Sequence, residues 1–295
     1  MGYSRARVAH VADLTPNLRR IIFDTVDLPG LGLPGVADEA VGIYFPAPSQ
    51  TAAPDMECRD GTWGYHDVDP APDGRNYSIR AVDEPAGRVV VDFVIHDAGP
   101  ATSWAQRAET GHEVVMSHAR SWFAPPSDTR HLVLAADLAG LPALARIVEE
   151  IHTTDPARTP RVTTIVEVPT PTDLGYLPAS GIETITLVGG NGRTASGLAE
   201  AMRALDLPAT GGYCWFAGEA AQSRAVRKHL RDEHGWDRSR YDILGYWRQD
   251  SERWTQAYAQ RSAELFAVYQ QAIAAGRTEK EAAEEFDEAL ERAGL

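Results

Sequence analysis

Cysteine is almost missing from this 295-residue chain. Cys58 and Cys214 stand far apart, and neither has a second Cys or His at metal-ligand spacing. That excludes a disulfide framework and a zinc site. Long apolar runs are also missing: no stretch of about 18 apolar residues occurs, so no membrane-spanning helix is expected. Met1 to Pro16 lacks the apolar core of a signal peptide, and Ala6 stands where a myristoylation motif needs Ser or Thr. A cytoplasmic protein is the expectation. Positive charge is scarce, with 28 Lys and Arg against 42 Asp and Glu and a net charge of −14. Such a balance argues against a nucleic-acid surface and an anionic membrane. Nor is there a hydrolase signature. Ser103 and Ser196 lack a nucleophile-elbow context, and Glu113, Asp92 and the other carboxylates show no acid–base pairing, so most are read as solvated.

The length suits two domains with sizeable cores. From Arg7 to about Phe123 the chain reads as short strands broken by Gly and Pro, including Leu18 to Phe23, Val41 to Phe45, Arg88 to His96 and Val114 to Ser117. With one short helix from about Thr102 to Thr110, this pattern predicts a closed antiparallel barrel. The segment from Pro46 to Gly74 reads as a long loop or an irregular hairpin. After Pro125-Pro126, strands and helices alternate, which predicts a parallel sheet covered by helices on both faces. Beyond Asp250, Trp254, Tyr258, Leu265, Val268 and Ala272 recur at helical spacing, and Thr278 with Glu281 forms a capping box for another helix. The expected architecture is an N-terminal antiparallel β-barrel (1–126), a parallel-sheet α/β nucleotide-binding domain (127–249) and a C-terminal helical hairpin (250–295). The hairpin's apolar stripe needs a covering surface, expected on the sheet domain.

Two stretches carry the chemistry. In Arg75-Asn76-Tyr77-Ser78-Ile79-Arg80, an Arg, an aromatic and a small hydroxyl can meet a phosphate, a flat ring and a ring nitrogen, which a flavin dinucleotide presents. One strand later comes His96-Asp97-Ala98-Gly99-Pro100-Ala101-Thr102-Ser103-Trp104-Ala105. Its Gly99-Pro100-Ala101 bend leaves backbone uncovered, and Thr102 and Ser103 at a helix start suit a pyrophosphate. These read as two walls of one FAD site, with His96 either a cofactor contact or a structural histidine. Gly190-Asn191-Gly192-Arg193-Thr194-Ala195 fits a G-x-G-x-x-A fingerprint. A tight turn is the preferred reading, because this stretch follows the third strand of its sheet rather than the first.

The chain resembles the siderophore-interacting protein family, flavin reductases with a ferredoxin–NADP reductase-like fold. The likeness runs from Val11-Ala12-Asp13-Leu14-Thr15-Pro16-Asn17-Leu18-Arg19-Arg20-Ile21 through both FAD stretches and Trp215-Phe216-Ala217-Gly218-Glu219 to Gly245-Tyr246-Trp247-Arg248. It implies FAD as cofactor, with Tyr77 on the isoalloxazine and Ser78 at N5 as the catalytic pair. Arg75, His96, Gly99, Pro100, Ala101, Thr102 and Ser103 complete the flavin contacts. Gly218 and Glu219 stand where the fold receives a nicotinamide dinucleotide. The implied reaction passes electrons from NAD(P)H or a ferredoxin through FAD to an Fe(III)-siderophore, releasing Fe(II). Arg120, Arg248 and His118 are the candidates for contact with that substrate.

The pattern breaks in three places. His118-Ala119-Arg120-Ser121 replaces a Gly-Pro-x-Gly turn. Asp137-Leu138-Ala139-Gly140-Leu141-Pro142-Ala143 replaces Asp-Glu-Thr-Ala-Leu-Pro-Ala, which is expected to make the nicotinamide end of the cleft more apolar, and Trp122 is expected to crowd it. Leu187 and Gly190 align with an aromatic and an Arg. Reduction by free NAD(P)H is therefore expected to be poor. Two other functions stay open: a diverged enzyme acting on an organic metabolite, and a non-catalytic flavin- or siderophore-binding protein.

Overall fold

The computed structural model describes residues 2–96, 99–153, 159–179, 181–249 and 251–295. The chain divides into two compact units, Met1–Tyr246 and Trp247–Leu295.

The first unit begins with β1 (Tyr3–Thr15), β2 (Leu18–Thr25), a one-turn helix α1 (Leu28–Leu31), β3 (Ala40–Tyr44), β4 (Glu57–Arg59), β5 (Thr62–Gly64), β6 (Gly74–Ser78), β7 (Ala81–Asp83), β8 (Arg88–Val94), α2 (Pro100–Arg107) and β9 (Glu113–Arg120). Among the described residues one sheet runs β6-β3-β9-β1-β2-β8-β7, every neighbouring pair antiparallel. Its edge strands β6 and β7 are consecutive in the chain, and just after β6 the Arg80 amide donates to Val90 O at 2.8 Å. The sheet thus curls onto itself. Alternation sends Val89, Val91 and Phe93 of β8 inward, where they pack with Phe23, Phe45 and Trp104. The Pro46 to Gly74 segment is the irregular hairpin: β4 pairs with β5, and Trp63 stacks on Tyr3 with ring centroids 4.6 Å apart.

Next come β10 (His131–Ala136), α3 (Leu141–His152), β11 (Arg161–Val168), β12 (Glu183–Val188), α4 (Leu198–Arg203), β13 (Gly212–Glu219), α5 (Ala220–Lys228) and β14 (Tyr241–Trp247). The sheet order is β12-β11-β10-β13-β14, with β10 to β13 mutually parallel. Leu141, Leu144 and Ile147 of α3 cover one face. Leu198 and Met202 of α4, with Val226 of α5, cover the other. Both sequence-level expectations, barrel and covered parallel sheet, hold.

Charge joins the two sheets. Arg80, the second arginine of the R-x-Y-S-x-R stretch, forms a two-pronged pair with Glu149 of α3 at 2.7 and 2.6 Å. Arg146 of α3 donates to the buried Glu39 at 2.8 Å and to Ile79 O at 3.1 Å. Asp92 is not solvated as expected. It is 3 % exposed, because Arg20 grips it at 2.8 and 2.7 Å and the Tyr176 hydroxyl donates to it.

In the second unit the expected first helix is two, α6 (Ser251–Ala259) and α7 (Ser262–Ala274), followed by α8 (Glu279–Arg292). The break falls at Arg261, where the apolar spacing was interrupted. Thr278 and Glu281 form the expected capping box. The apolar stripe is covered within this unit: Leu265 packs with Ala289 and Leu290, flanked by Trp254, Tyr258, Val268 and Phe286.

Candidate functional site

The barrel wall of the site is β6. Arg75 is exposed, and its guanidinium donates to Gly74 O at 2.7 Å. Tyr77, two residues on and so on the same strand face, is half-buried, its ring centroid 4.4 Å from that of Phe93. Burial raises the Tyr77 phenol above its ordinary pKa, with Arg75 opposing. The next residue points to the other face. Ser78 is 6 % exposed, and its hydroxyl meets the Tyr246 hydroxyl of β14 at 3.1 Å. That contact sets β6 against the last strand of the parallel sheet.

The second wall is the turn into α2. Gly99 takes φ 132°, a conformation that side chains rarely adopt, and a Cβ there would stand 3.3 Å from the His96 ring. Helix α2 begins at Pro100, two residues before the expected Thr102, and Gly99 supplies no side-chain cap, so the amides of its first turn stay free of one. Ala101 is buried. Thr102 is buried as well and spends its hydroxyl on Val94 O at 3.2 Å, so only the Ser103 hydroxyl remains exposed on this turn. His96 is exposed. Asp97 and Ala98 of this stretch lie outside the described residues.

Opposite lies the carboxyl edge of the parallel sheet. The strand order reverses between β10 and β13, the place where such sheets bind ligands. Asp137 follows β10, is 1 % exposed, and accepts from the Ala139 amide at 2.9 Å. Gly218 closes the gap between strands, since a Cβ there would come 3.0 Å from Asp137 Oδ2. Glu219 caps α5, accepting from the Ala221 and Gln222 amides at 2.6 and 3.2 Å. The expected apolar lining is not formed by Leu138, which is 1 % exposed and packed in the core. Its backbone amide donates to Asn191 Oδ1 at 2.9 Å instead.

Asn191 belongs to the glycine-rich stretch, which is a tight turn. Gly190, Asn191 and Gly192 take φ 58°, 55° and 77°. The Asn191 amide also donates to Glu167 O at 3.2 Å and to Gly189 O at 2.9 Å, so the turn after β12 is strapped across to the loop after β10. Arg193 Nη2 donates to Asn17 Oδ1 at 2.8 Å. Asn17 also donates to the buried Asp173 at 2.8 Å.

Between these walls stands a basic and phenolic cluster that periodicity did not reveal. His118 takes φ 56°, the conformation a glycine adopts freely and the one that the replaced Gly-Pro-x-Gly turn would supply at this position. Its Nδ1 lies 3.2 Å from the Tyr44 hydroxyl. Burial and then Arg120 lower the His118 pKa. Arg120 is half-buried and lies 5.6 Å over the Trp122 ring, without an ion pair among the described residues. Burial lowers its pKa, with the Tyr44 and Tyr246 hydroxyls opposing. The backbone behind it is fixed by Asp38, which is fully buried and accepts from the amides of Trp122 at 3.0 Å and Phe123 at 2.9 Å and from the Trp215 indole at 3.0 Å. Arg248 belongs to the second unit, 4.4 Å over the Trp254 ring.

Two family models cover most of the chain: the siderophore-interacting FAD-binding domain over residues 7–121 and the siderophore-interacting protein domain over residues 129–250. The chain belongs to the siderophore-interacting protein family. Like the family's FAD-binding domain it takes FAD, on a flavin-oxidoreductase scaffold. Among its relatives is the NADPH-dependent ferric-chelate reductase of Escherichia coli, 26 % identical over 249 residues that make up 84 % of this chain and 93 % of that one. The siderophore utilization protein from T. fusca has a similar structure, with a TM-score of 0.72 and 26 % identity over 84 % of this chain and 93 % of that one. A ferredoxin NADP+ reductase from Neisseria gonorrhoeae with bound FAD and NADP shares the fold at a TM-score of 0.56 and 14 % identity, covering 84 % of this chain and 99 % of that one. Among the described residues no helix is long and apolar enough to cross a membrane, and no cluster of His, Cys, Asp and Glu is arranged to hold a metal ion.

Proposed function

We propose that this chain is a FAD-dependent reductase of ferric siderophores or related ferric chelates, working in the cytoplasm. The reading divides the chain into a FAD-binding barrel (1–126), a sheet domain that faces the electron donor (127–249) and a helical extension (250–295). The observation that supports it is the Ser78–Tyr246 contact at 3.1 Å, which sets the strand of Arg75, Tyr77 and Ser78 against the last strand of the parallel sheet. Arg75 and the first-turn amides of α2 suit the two phosphates. Tyr77 offers a ring face, and Ser78 a hydroxyl for the flavin N5. His96, whose ring stands beside Gly99, and the exposed Ser103 are the further flavin contacts of this reading. When bound, the flavin accepts electrons in pairs and passes them on singly, as Fe(III) reduction requires. Arg120, with no ion pair of its own among the described residues, and His118 suit the anionic oxygens of a ferric chelate.

The donor is NAD(P)H or a ferredoxin, with free NAD(P)H acting poorly. Hydride transfer needs donor and acceptor atoms within about 3 to 3.5 Å and aligned. Here Asn191 straps the loop after β12 to the Leu138 amide, across the edge where the dinucleotide would lie, and Glu219 is engaged in capping α5. The test is the spectrum of the purified protein, then anaerobic stopped-flow bleaching of its flavin band. Slow reduction, linear in NADH or NADPH, is expected. Rapid, saturable reduction at micromolar donor would count against the poor-donor part, and a protein that takes up no flavin would count against the whole reading.

A further inference from the structure

Glu167 lies near the carboxyl end of β11, one residue beyond the Ala136–Val166 pair and level with Leu187 of β12. It is 2 % exposed. Oε1 accepts from the Gly197 amide at 2.7 Å, whereas Oε2 is buried without a hydrogen-bond partner among the described residues. Directly over Oε2 stands Gly190, where a Cβ would come within 1.9 Å of it. No side chain at position 190 fits above this carboxylate, so position 190 cannot carry a cation there. The cation three residues on, Arg193, donates to Asn17, and Asn191 pins the loop to the Leu138 amide and the Glu167 carbonyl.

The strand next to the switch-point strand is where an open parallel sheet receives the adenosine ribose of a dinucleotide. A carboxylate there tolerates a ribose 2′-hydroxyl and repels a 2′-phosphate, and a cation does the reverse. With the donor at this sheet edge as proposed, Gly190 is the residue that stands over the unpaired Oε2, which then acts through a thin, poorly screening layer. We infer that Glu167 under Gly190 determines donor specificity, so that the sheet binds the unphosphorylated dinucleotide, NAD+ or NADH, in preference to NADP+ or NADPH. This rests on the proposed placement of the donor at the sheet edge.

The test is calorimetric titration of the flavin-loaded protein with NAD+ and, separately, NADP+ into the millimolar range, a readout independent of turnover. NAD+ should bind about tenfold or more tightly than NADP+. Glu167→Gln keeps an acceptor for the Gly197 amide and should bring the ratio toward one. Arg193→Ala should leave the ratio unchanged. Equal or tighter NADP+ binding, no binding of either, an unchanged ratio in Glu167→Gln, or a selective loss of NADP+ in Arg193→Ala would each overturn the inference. If Glu167→Gln does not fold, the wild-type ratio decides alone. A protein that takes up no flavin fails the proposed function, whereas a flavin-loaded protein that prefers NADP+ fails only this inference.

Discussion

The Ser78 and Tyr246 hydroxyls meet at 3.1 Å, one on the first motif strand of the barrel and the other on the last strand of the parallel sheet. Burial raises the Tyr246 phenol above its ordinary pKa, and Ser78 is the first group opposing that rise. Tyr246→Phe leaves the buried Ser78 hydroxyl unpaired, which should cost about 1 to 3 kcal/mol. Thermal unfolding of the apoprotein would show a lower midpoint, and an unchanged midpoint would mean that the contact contributes nothing.

Arg75→Ala removes an exposed guanidinium that, among the described residues, donates to its neighbour's carbonyl, so little stability should be lost. Flavin affinity should fall by about tenfold or more, the worth of one charge-assisted phosphate contact at about 1.5 to 3 kcal/mol. Fluorescence titration with FAD reads the change directly. Unaltered affinity would remove Arg75 from the site.

His118 has a folded-state pKa depressed below its ordinary value by burial and by Arg120. The sign follows from linkage: a histidine held neutral contributes stability that is present above about pH 6.5 and is lost as pH falls through the folded value. His118→Asn, which tolerates φ 56°, should flatten the decline in melting temperature on acidification. Parallel slopes for the two proteins would contradict this.

Leu265 is 3 % exposed at the centre of the second unit's own cluster. Leu265→Ala should cost about 2 to 5 kcal/mol by opening a cavity, seen as an earlier helical unfolding step by circular dichroism. Flavin affinity should stay at the wild-type value. A loss of flavin binding would tie the extension to the site.

Much of this was legible because period and punctuation are local signals. The alternation of Val89, Val91 and Phe93 gave β8 its buried face, and the cap formed by Thr278 and Glu281 marked α8. What stayed hidden depends on pairings far apart in sequence. Asp92 reads as a solvated strand residue until Arg20 and Tyr176 close on it. Leu138 reads as cleft lining until the backbone after β10 turns it into the core. Tyr44 and His118 come within 3.2 Å through the pairing of β3 with β9, and no local pattern marks that meeting. Asp38, 0 % exposed under the Trp122 backbone, carries no sequence signal at all.

Reduced flavin in this protein should deliver electrons to ferric chelates. The most direct measurement loads the protein with FAD, photoreduces it anaerobically, mixes it with a ferric siderophore and follows Fe(II) with a chromogenic Fe(II) chelator while the flavin band returns. Reoxidation should be matched by about two Fe(II) per flavin, since each reduced flavin carries an electron pair. Flavin that stays reduced, with no Fe(II) captured, would contradict it.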